Sequence, residues 1–247
     1  MRAPRACVAA GLLAISLPAG GGAAQLAIES RRVSFGAGAA SALLNGQLKG
    51  EQTVDYLLKA GAGQTLTVEL QASNPQNHFN VLAAGSDTAL FTGSSSGTSF
   101  RGLLPSDGDV RVRVYLMRAA ARRLETSRYS LRVGISGTPL APLPASRDAL
   151  IPGTPYHAST EVPCASGNSG PPRRCKAFVI RRVNNSGTVV VTNPMGQTRQ
   201  FLFVQGQAVA SDQPERLTVQ RRGDGSVLRL GDNFERYEIV DALVVGG

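Results

Sequence analysis

Apolar and polar positions alternate with a period of two through most of the chain, the pattern of strands that bury one face. Val54, Tyr56 and Leu58 alternate with Asp55, Leu57 and Lys59, while Leu66, Val68 and Leu70 alternate with Thr65, Thr67 and Glu69. The glycines of "AGAGQ" lie between the two runs, so the segment predicts a hairpin. "FNVLAAG", "TALFTG" and "SFRGLL" follow as short strand candidates separated by Gly, Asn and Ser. Val110, Val112, Val114 and Leu116 then alternate with Arg111, Arg113 and Tyr115, and after a break the alternation resumes at Tyr129, Leu131, Val133 and Ile135. Short strands at close spacing, with no long helical period, predict an antiparallel β-sandwich.

The break reads "RAAARRLETS". Hairpin connections commonly take about two to five residues, and this one is longer. Its Ala and Arg content favours a helical turn, on which Arg118 and Arg122, four apart, share a face. From the residues alone, Arg118 and Arg122 either solubilise a loop, pair at home with Glu125 and Asp109, or reach out to a partner, and Arg123 is a third arginine offered at the same tip.

From Ser136 to Pro155 the text "SGTPLAPLPASRDALIPGTP" holds five prolines and no apolar period, which predicts a semi-extended linker. Beyond it "KAFVIRRV", "GTVVVTN", "TRQFLFVQ", "ERLTVQRR", "SVLRLG" and "ERYEIVDALVV" are strand candidates joined by turn signals. Asp224-Gly225 is the strongest hairpin turn among them. The expectation is an all-β chain with an antiparallel sandwich over 25–135, a Pro-rich linker over 136–155, and a second small antiparallel β domain over 156–247, curled or half-barrel in shape.

Composition then adds the compartment. "MRAPRACVAAGLLAISLPAGGGAAQ" has two early arginines, an apolar middle interrupted by Pro18, and small residues closing on Ala23 and Ala24. That is the layout of a cleavable secretory signal over 1–24, and the apolar run is too short for a spanning helix. In an exported chain Cys164 and Cys175 are expected to form a disulfide, whereas two cysteines without a nearby His make no zinc set. With 26 Lys and Arg against 17 Asp and Glu the formal charge is +9, and losing Arg2 and Arg5 with the leader brings it to +7. Such a charge suits acidic surfaces, but with no Trp and few aromatics nucleic acid is a poor fit.

Catalytic chemistry is thin. His78 and His157 are the only histidines, neither beside a nucleophile elbow, and both are expected in surface or capping roles. The acidic pairs Asp107 with Asp109 and Asp224 with Asp232 fall at turns, where Asp forms its own hydrogen bonds. No cofactor, no metal and no enzyme activity are expected; the chain reads as a binder.

"GQLKGEQTVDYLLKAGAGQTLTVEL", "FNVLAAGSDTALFTG", "LLPSDGDVRVRVYLMRAAARR" and "SRYSLRV" together resemble the periplasmic inhibitors of g-type lysozyme, over about residues 33–135. These are small β-sandwich proteins of Gram-negative envelopes, similar in outline to the bacterial pre-peptidase C-terminal domain. The resemblance implies a periplasmic, non-enzymatic protein whose partner is a lysozyme, with Tyr56, Arg118 and Arg122 as contact residues and Arg123 beside them. Tyr56 also shares its strand face with Val54 and Leu58, so core packing with a satisfied hydroxyl stands beside contact, and Asp55 and Lys59 are expected to face solvent. "YHASTEVPC" and "RYEIVDALVVGG" resemble a bacterial module of no known function, and that extra half departs from the single-domain pattern. The competing class is an envelope module that binds peptidoglycan, another glycan or a secreted partner.

Overall fold

The computed structural model describes residues 28–166, 173–231 and 235–246. The expected leader over 1–24, Asp232, and part of the loop between the two later cysteines lie outside them. The first body is built from β1 (Glu29–Arg32), β2 (Ser41–Lys49), β3 (Thr53–Ala60), β4 (Thr65–Ala72), β5 (Asn77–Leu82), β6 (Ala89–Thr92), the single turn α1 (Gly93–Ser96), β7 (Ser99–Leu103), β8 (Gly108–Leu116), α2 (Arg118–Arg122) and β9 (Thr126–Ser136). Its strands form a five-stranded sheet in the order β1-β3-β8-β5-β6 and a four-stranded sheet in the order β2-β9-β4-β7.

The period of two does what it predicts. Val110, Val112, Val114 and Leu116 of β8 and Tyr129, Leu131, Val133 and Ile135 of β9 all enter one core with Leu66, Phe79 and Val81. Each buried aliphatic side chain contributes roughly 1.5–3 kcal/mol, so this interleaved layer is what holds the two sheets together. Two details differ from expectation. β1 runs parallel to β3 rather than antiparallel, because its chain next enters the opposite sheet and no hairpin fixes its direction. Asp55 is buried, not solvent-facing, because Arg113 on the paired strand grips both of its oxygens at 2.7 and 2.8 Å.

The second body comprises β10 (Ala158–Ser166), β11 (Arg173–Arg182), β12 (Ser186–Thr192), β13 (Thr198–Val204), β14 (Gln207–Ser211), β15 (Leu217–Arg222), β16 (Gly225–Leu230), β17 (Glu235–Val240) and α3 (Asp241–Val245). They make one eight-stranded sheet, β14-β13-β12-β11-β10-β17-β16-β15, curled until its edge strands β14 and β15 approach each other. The strand expected over "ERYEIVDALVV" stops at Val240. The last five residues turn into α3, which buries Leu243 and Val244 against the sheet. The tight turn before β16 is Gly223-Asp224, one residue earlier than expected, since Arg222 pairs with Gly225. Gly223 takes φ +55° while Asp224 stays on the ordinary side, as a type II′ turn requires. The expected disulfide is present: Cys164 on β10 bonds Cys175 on β11, with Cα atoms 5.8 Å apart.

The Pro-rich segment is not a free linker but a strap stitched to both bodies. The Leu140 N–H donates to Ala62 O, Leu143 N–H to Arg181 O, and Val183 N–H to Ala141 O, each within about a tenth of 2.9 Å. Prolines remove donors, yet the residues between them keep theirs, and those are what pair. His157 is buried rather than superficial. Its Nδ1 accepts the Arg181 N–H at 3.0 Å, so Nε2 bears the proton and donates to Leu143 O at 2.9 Å.

Direct bonds also join the bodies. Arg182, its side chain fully buried, donates to the Asp107 carboxylate at 2.7 Å and to Leu140 O at 2.8 Å. Thr188 Oγ1 donates to Pro105 O at 2.7 Å, and Gln200 Nε2 to Ala84 O at 2.9 Å.

Candidate functional site

The Arg-rich break lies at the far end of β8 from the junction. Asp107 precedes β8 and Arg118 follows it, and a strand of nine residues separates the two ends by about 27 Å at ~3.4 Å per residue. The second body is therefore fastened at the opposite pole of the sandwich from the break.

α2 consists of the five residues Arg118–Arg122. Ala120 and Ala121 are buried and belong to the sandwich core, whereas Arg118, Ala119, Arg122 and Arg123 are exposed. Small apolar residues on one side let the turn sit down on the sandwich, and the same helical geometry sends Arg118 and Arg122 outward together. The turn ends in a Schellman motif: Glu125 N–H donates to Ala120 O at 3.1 Å and Leu124 N–H to Ala121 O at 2.9 Å.

Neighbouring turns hold this tip. Gly50 N–H, between β2 and β3, donates to Glu125 O at 2.9 Å, and Met117 N–H donates to Gln76 O at 2.8 Å. The Asn74 amide donates to one Glu125 oxygen at 2.8 Å while Arg123 Nε donates to the other at 2.7 Å. Both bonds stabilise the charged form and hold the Glu125 carboxyl below its usual range, the Asn74 contact most. The break is thus a fixed projection rather than a slack loop.

The three arginines are not equivalent. Arg123 is spent at home on Glu125. The other carboxylate considered as a home partner, Asp109, is held by Arg32 at 2.7 Å. Among the described residues, Arg118 and Arg122 make no ion pair or side-chain hydrogen bond. Two guanidinium groups are left free on one face of a pinned turn, able to form planar two-pronged bonds with carboxylates.

Tyr56 is 3% exposed. Its hydroxyl lies 2.8 Å from that of Tyr129, one from each sheet, so the pair ties the two layers across the core. Of the alternatives for Tyr56, core packing with a satisfied hydroxyl describes its place. Burial, and after it the Tyr56 bond, pushes the Tyr129 phenol above its usual range. Leu124, which the period of two passed over, stands directly after the arginines, 65% exposed and in a left-handed backbone conformation at φ +55°.

At the other pole a concavity of about 700 Å³ opens between the bodies under the strap. Tyr156 and Phe178 stack along it with ring centroids 4.8 Å apart, and Thr192, Thr198 and Gln200 add polar groups. Of the acidic turns, Asp107 is spent on Arg182 and on the Ala62 N–H at 2.8 Å.

No family model matches the chain, and no curated protein matches it. Among solved structures it is similar to the periplasmic lysozyme inhibitor of g-type lysozyme from Aeromonas hydrophila, at 39% identity over 44% of this chain and 97% of that one, with a TM-score of 0.41. A mutant of the inhibitor from Escherichia coli is 28% identical over 44% of this chain and all of that one, with a TM-score of 0.36. The inhibitor from Salmonella Typhimurium is 24% identical over 44% and 98%, also at 0.36. The matched share is thus less than half of this chain.

Proposed function

We propose, on the premise that the sandwich domain belongs by its 39% identity over nearly the whole of the Aeromonas hydrophila protein to the family of periplasmic inhibitors of g-type lysozyme, that this chain is an exported inhibitor of such a lysozyme. The inhibitor acts in the periplasm by placing the α2 tip in the enzyme's cleft. The observation that carries the reading is the pair Arg118 and Arg122, exposed, without partners among the described residues, and fixed on one helical turn.

A lysozyme cleaves a glycosidic bond in a cleft that carries carboxyl groups beside the scissile linkage. Two guanidinium groups spaced by one helical turn answer such a set with charge-assisted hydrogen bonds. Because Asn74, Gly50 and Gln76 already fix the turn, little ordering entropy is lost when it docks. Arg123 holds Glu125 in place, and Tyr56 acts through the sheet it ties rather than by touching the enzyme.

Truncating one side of a desolvated charge pair costs about 2–5 kcal/mol, or at least about thirtyfold in an inhibition constant. Turbidity assays of cell-wall lysis by a g-type lysozyme, with the full mature chain and its Arg118→Ala/Arg122→Ala variant, test this. The variant should keep its circular dichroism spectrum and lose inhibition; an unchanged inhibition constant refutes the assignment of the tip.

The cleft under the strap favours a second reading for the other end of the molecule. A preformed hollow between domains, with an aromatic face and a few unengaged hydroxyls, is the usual form of a small-ligand site, and it suits a glycan. Sedimentation with insoluble peptidoglycan tests it, since a chain that stays in the supernatant at low salt has no such affinity.

A further inference from the structure

Leu124 combines two features that each cost free energy. It occupies the C′ position of the Schellman motif, where glycine is the usual residue. At φ +55° a leucine is strained by its own Cβ. It is also the most exposed large apolar side chain among the described residues, at 65%. Met195 and Leu43 come next in exposure, and both have ordinary backbone angles. A glycine would hold this backbone conformation without the strain.

The side chain is also aimed. Gly50, itself at φ +59°, lies beneath it so closely that an added Cβ would come within 3.1 Å of Leu124 Cδ2. The hydrogen bonds of Leu124 and Glu125 to the last turn of α2 fix the backbone on both sides. A propped apolar knob stands next to two free guanidinium groups. Strain kept at an exposed position by well-made surroundings marks a functional residue.

From this we infer that Leu124 is the apolar anchor of the inhibitory tip, inserted into a nonpolar recess beside the carboxylates that Arg118 and Arg122 engage. The partner surface is a protein cleft that is acidic at its centre and apolar at its edge. Such a composition matches a binding hot spot, where a desolvated apolar anchor sits among charged groups whose bonds strengthen once water is excluded. The inference rests on the proposed inhibition of g-type lysozyme.

Leu124→Gly separates folding from binding, because it removes the strain and the anchor together. Inhibition constants against g-type lysozyme and guanidinium denaturation midpoints are measured on the full mature chain, on Leu124→Gly and on Leu124→Met. Leu124→Gly should hold or raise the denaturation midpoint while its inhibition constant rises roughly ten- to a hundredfold, the loss expected for a leucine buried only in the complex. Leu124→Met, which keeps an apolar chain of similar volume, should stay within a few-fold of wild type. A Leu124→Gly variant that inhibits like wild type overturns the inference while leaving the inhibitor reading intact. A lowered midpoint overturns it too, because the leucine would then serve the fold. If the wild-type chain itself fails to inhibit, the inhibitor reading falls and the anchor falls with it.

Discussion

Replacing Asp107 by alanine strikes the bond that fastens the two β bodies. One of its oxygens accepts the Arg182 guanidinium at 2.7 Å and the other the Ala62 N–H at 2.8 Å. The Arg182 side chain is 0% exposed, and that of Asp107 40%. Breaking a buried ion pair from one side costs about 3–5 kcal/mol, mostly the penalty of an uncompensated charge. Water reaches the Asp107 end, and Arg182 keeps Leu140 O and Thr188 Oγ1, so the lower end, about 3 kcal/mol, is expected. For a chain of this length that is a fall of roughly 6–12 °C in melting temperature, read by differential scanning calorimetry. The double change Asp107→Ala/Arg182→Met should recover much of the loss, because the stranded charge is gone. Inhibition should survive in Asp107→Ala, since the tip lies a whole strand away. A single variant that melts within 2 °C of wild type would refute the reasoning that this pair is desolvated and needed.

Gly46→Ala should destabilise the sandwich by about 1–3 kcal/mol in urea unfolding, because the added Cβ would meet the Tyr129 ring at 2.4 Å; a change below 0.5 kcal/mol contradicts the packing. Asp212 is wholly buried and its carboxyl is pushed above the ordinary range by burial, against the opposing bonds from the Gln200 N–H and the Gln213 amide. A raised acid binds its proton more tightly when folded, so its stabilising contribution is full below the ordinary aspartate value and is lost as pH rises through the raised one. Wild type should therefore gain stability on Asp212→Asn as pH falls from 7 to 4, and a flat difference over that range counts against the assignment.

The sandwich was legible because its strands have one wet and one dry face. Val110 through Leu116 announce burial every second residue, and Tyr129 through Ile135 repeat it. The strap was illegible for the complementary reason: its contacts are backbone bonds from Leu140, Leu143 and Ala141, which leave no period in side-chain character. The residues of α3 read as strand because five apolar-rich residues carry too little sequence to show a period of 3.6. At the tip, the spacing of Arg118 and Arg122 was visible before the fold, but the assignment of Arg123 was not. Its partner Glu125 comes within reach only because the Schellman motif turns the chain back. Leu124 left one signal, a leucine at the end of a short Ala and Arg run where a glycine would stop the helix, and that signal has meaning only once the helix end is known.

Net charge is a poor guide to where this basic chain meets a partner. Many of its arginines are already answered: Arg32 by Asp109, Arg113 by Asp55, Arg123 by Glu125, Arg182 by Asp107, Arg199 by Glu235 and Arg221 by Asp241. Exposed pairs among these contribute little to stability, commonly below about 1 kcal/mol, yet each removes a cation from the set available to bind. The remainder includes residues scattered over the surface, such as Arg101 on β7 and Arg216 just ahead of β15, both exposed to solvent. Arg118 and Arg122 differ from these in geometry, not in charge. They share one face of a turn whose backbone is pinned from three sides, and it is this fixed spacing, rather than their charge, on which the proposal of a two-pronged contact with carboxylates rests. The alanines between them make that possible, because only small side chains let the turn lie on the sandwich while both arginines point away from it.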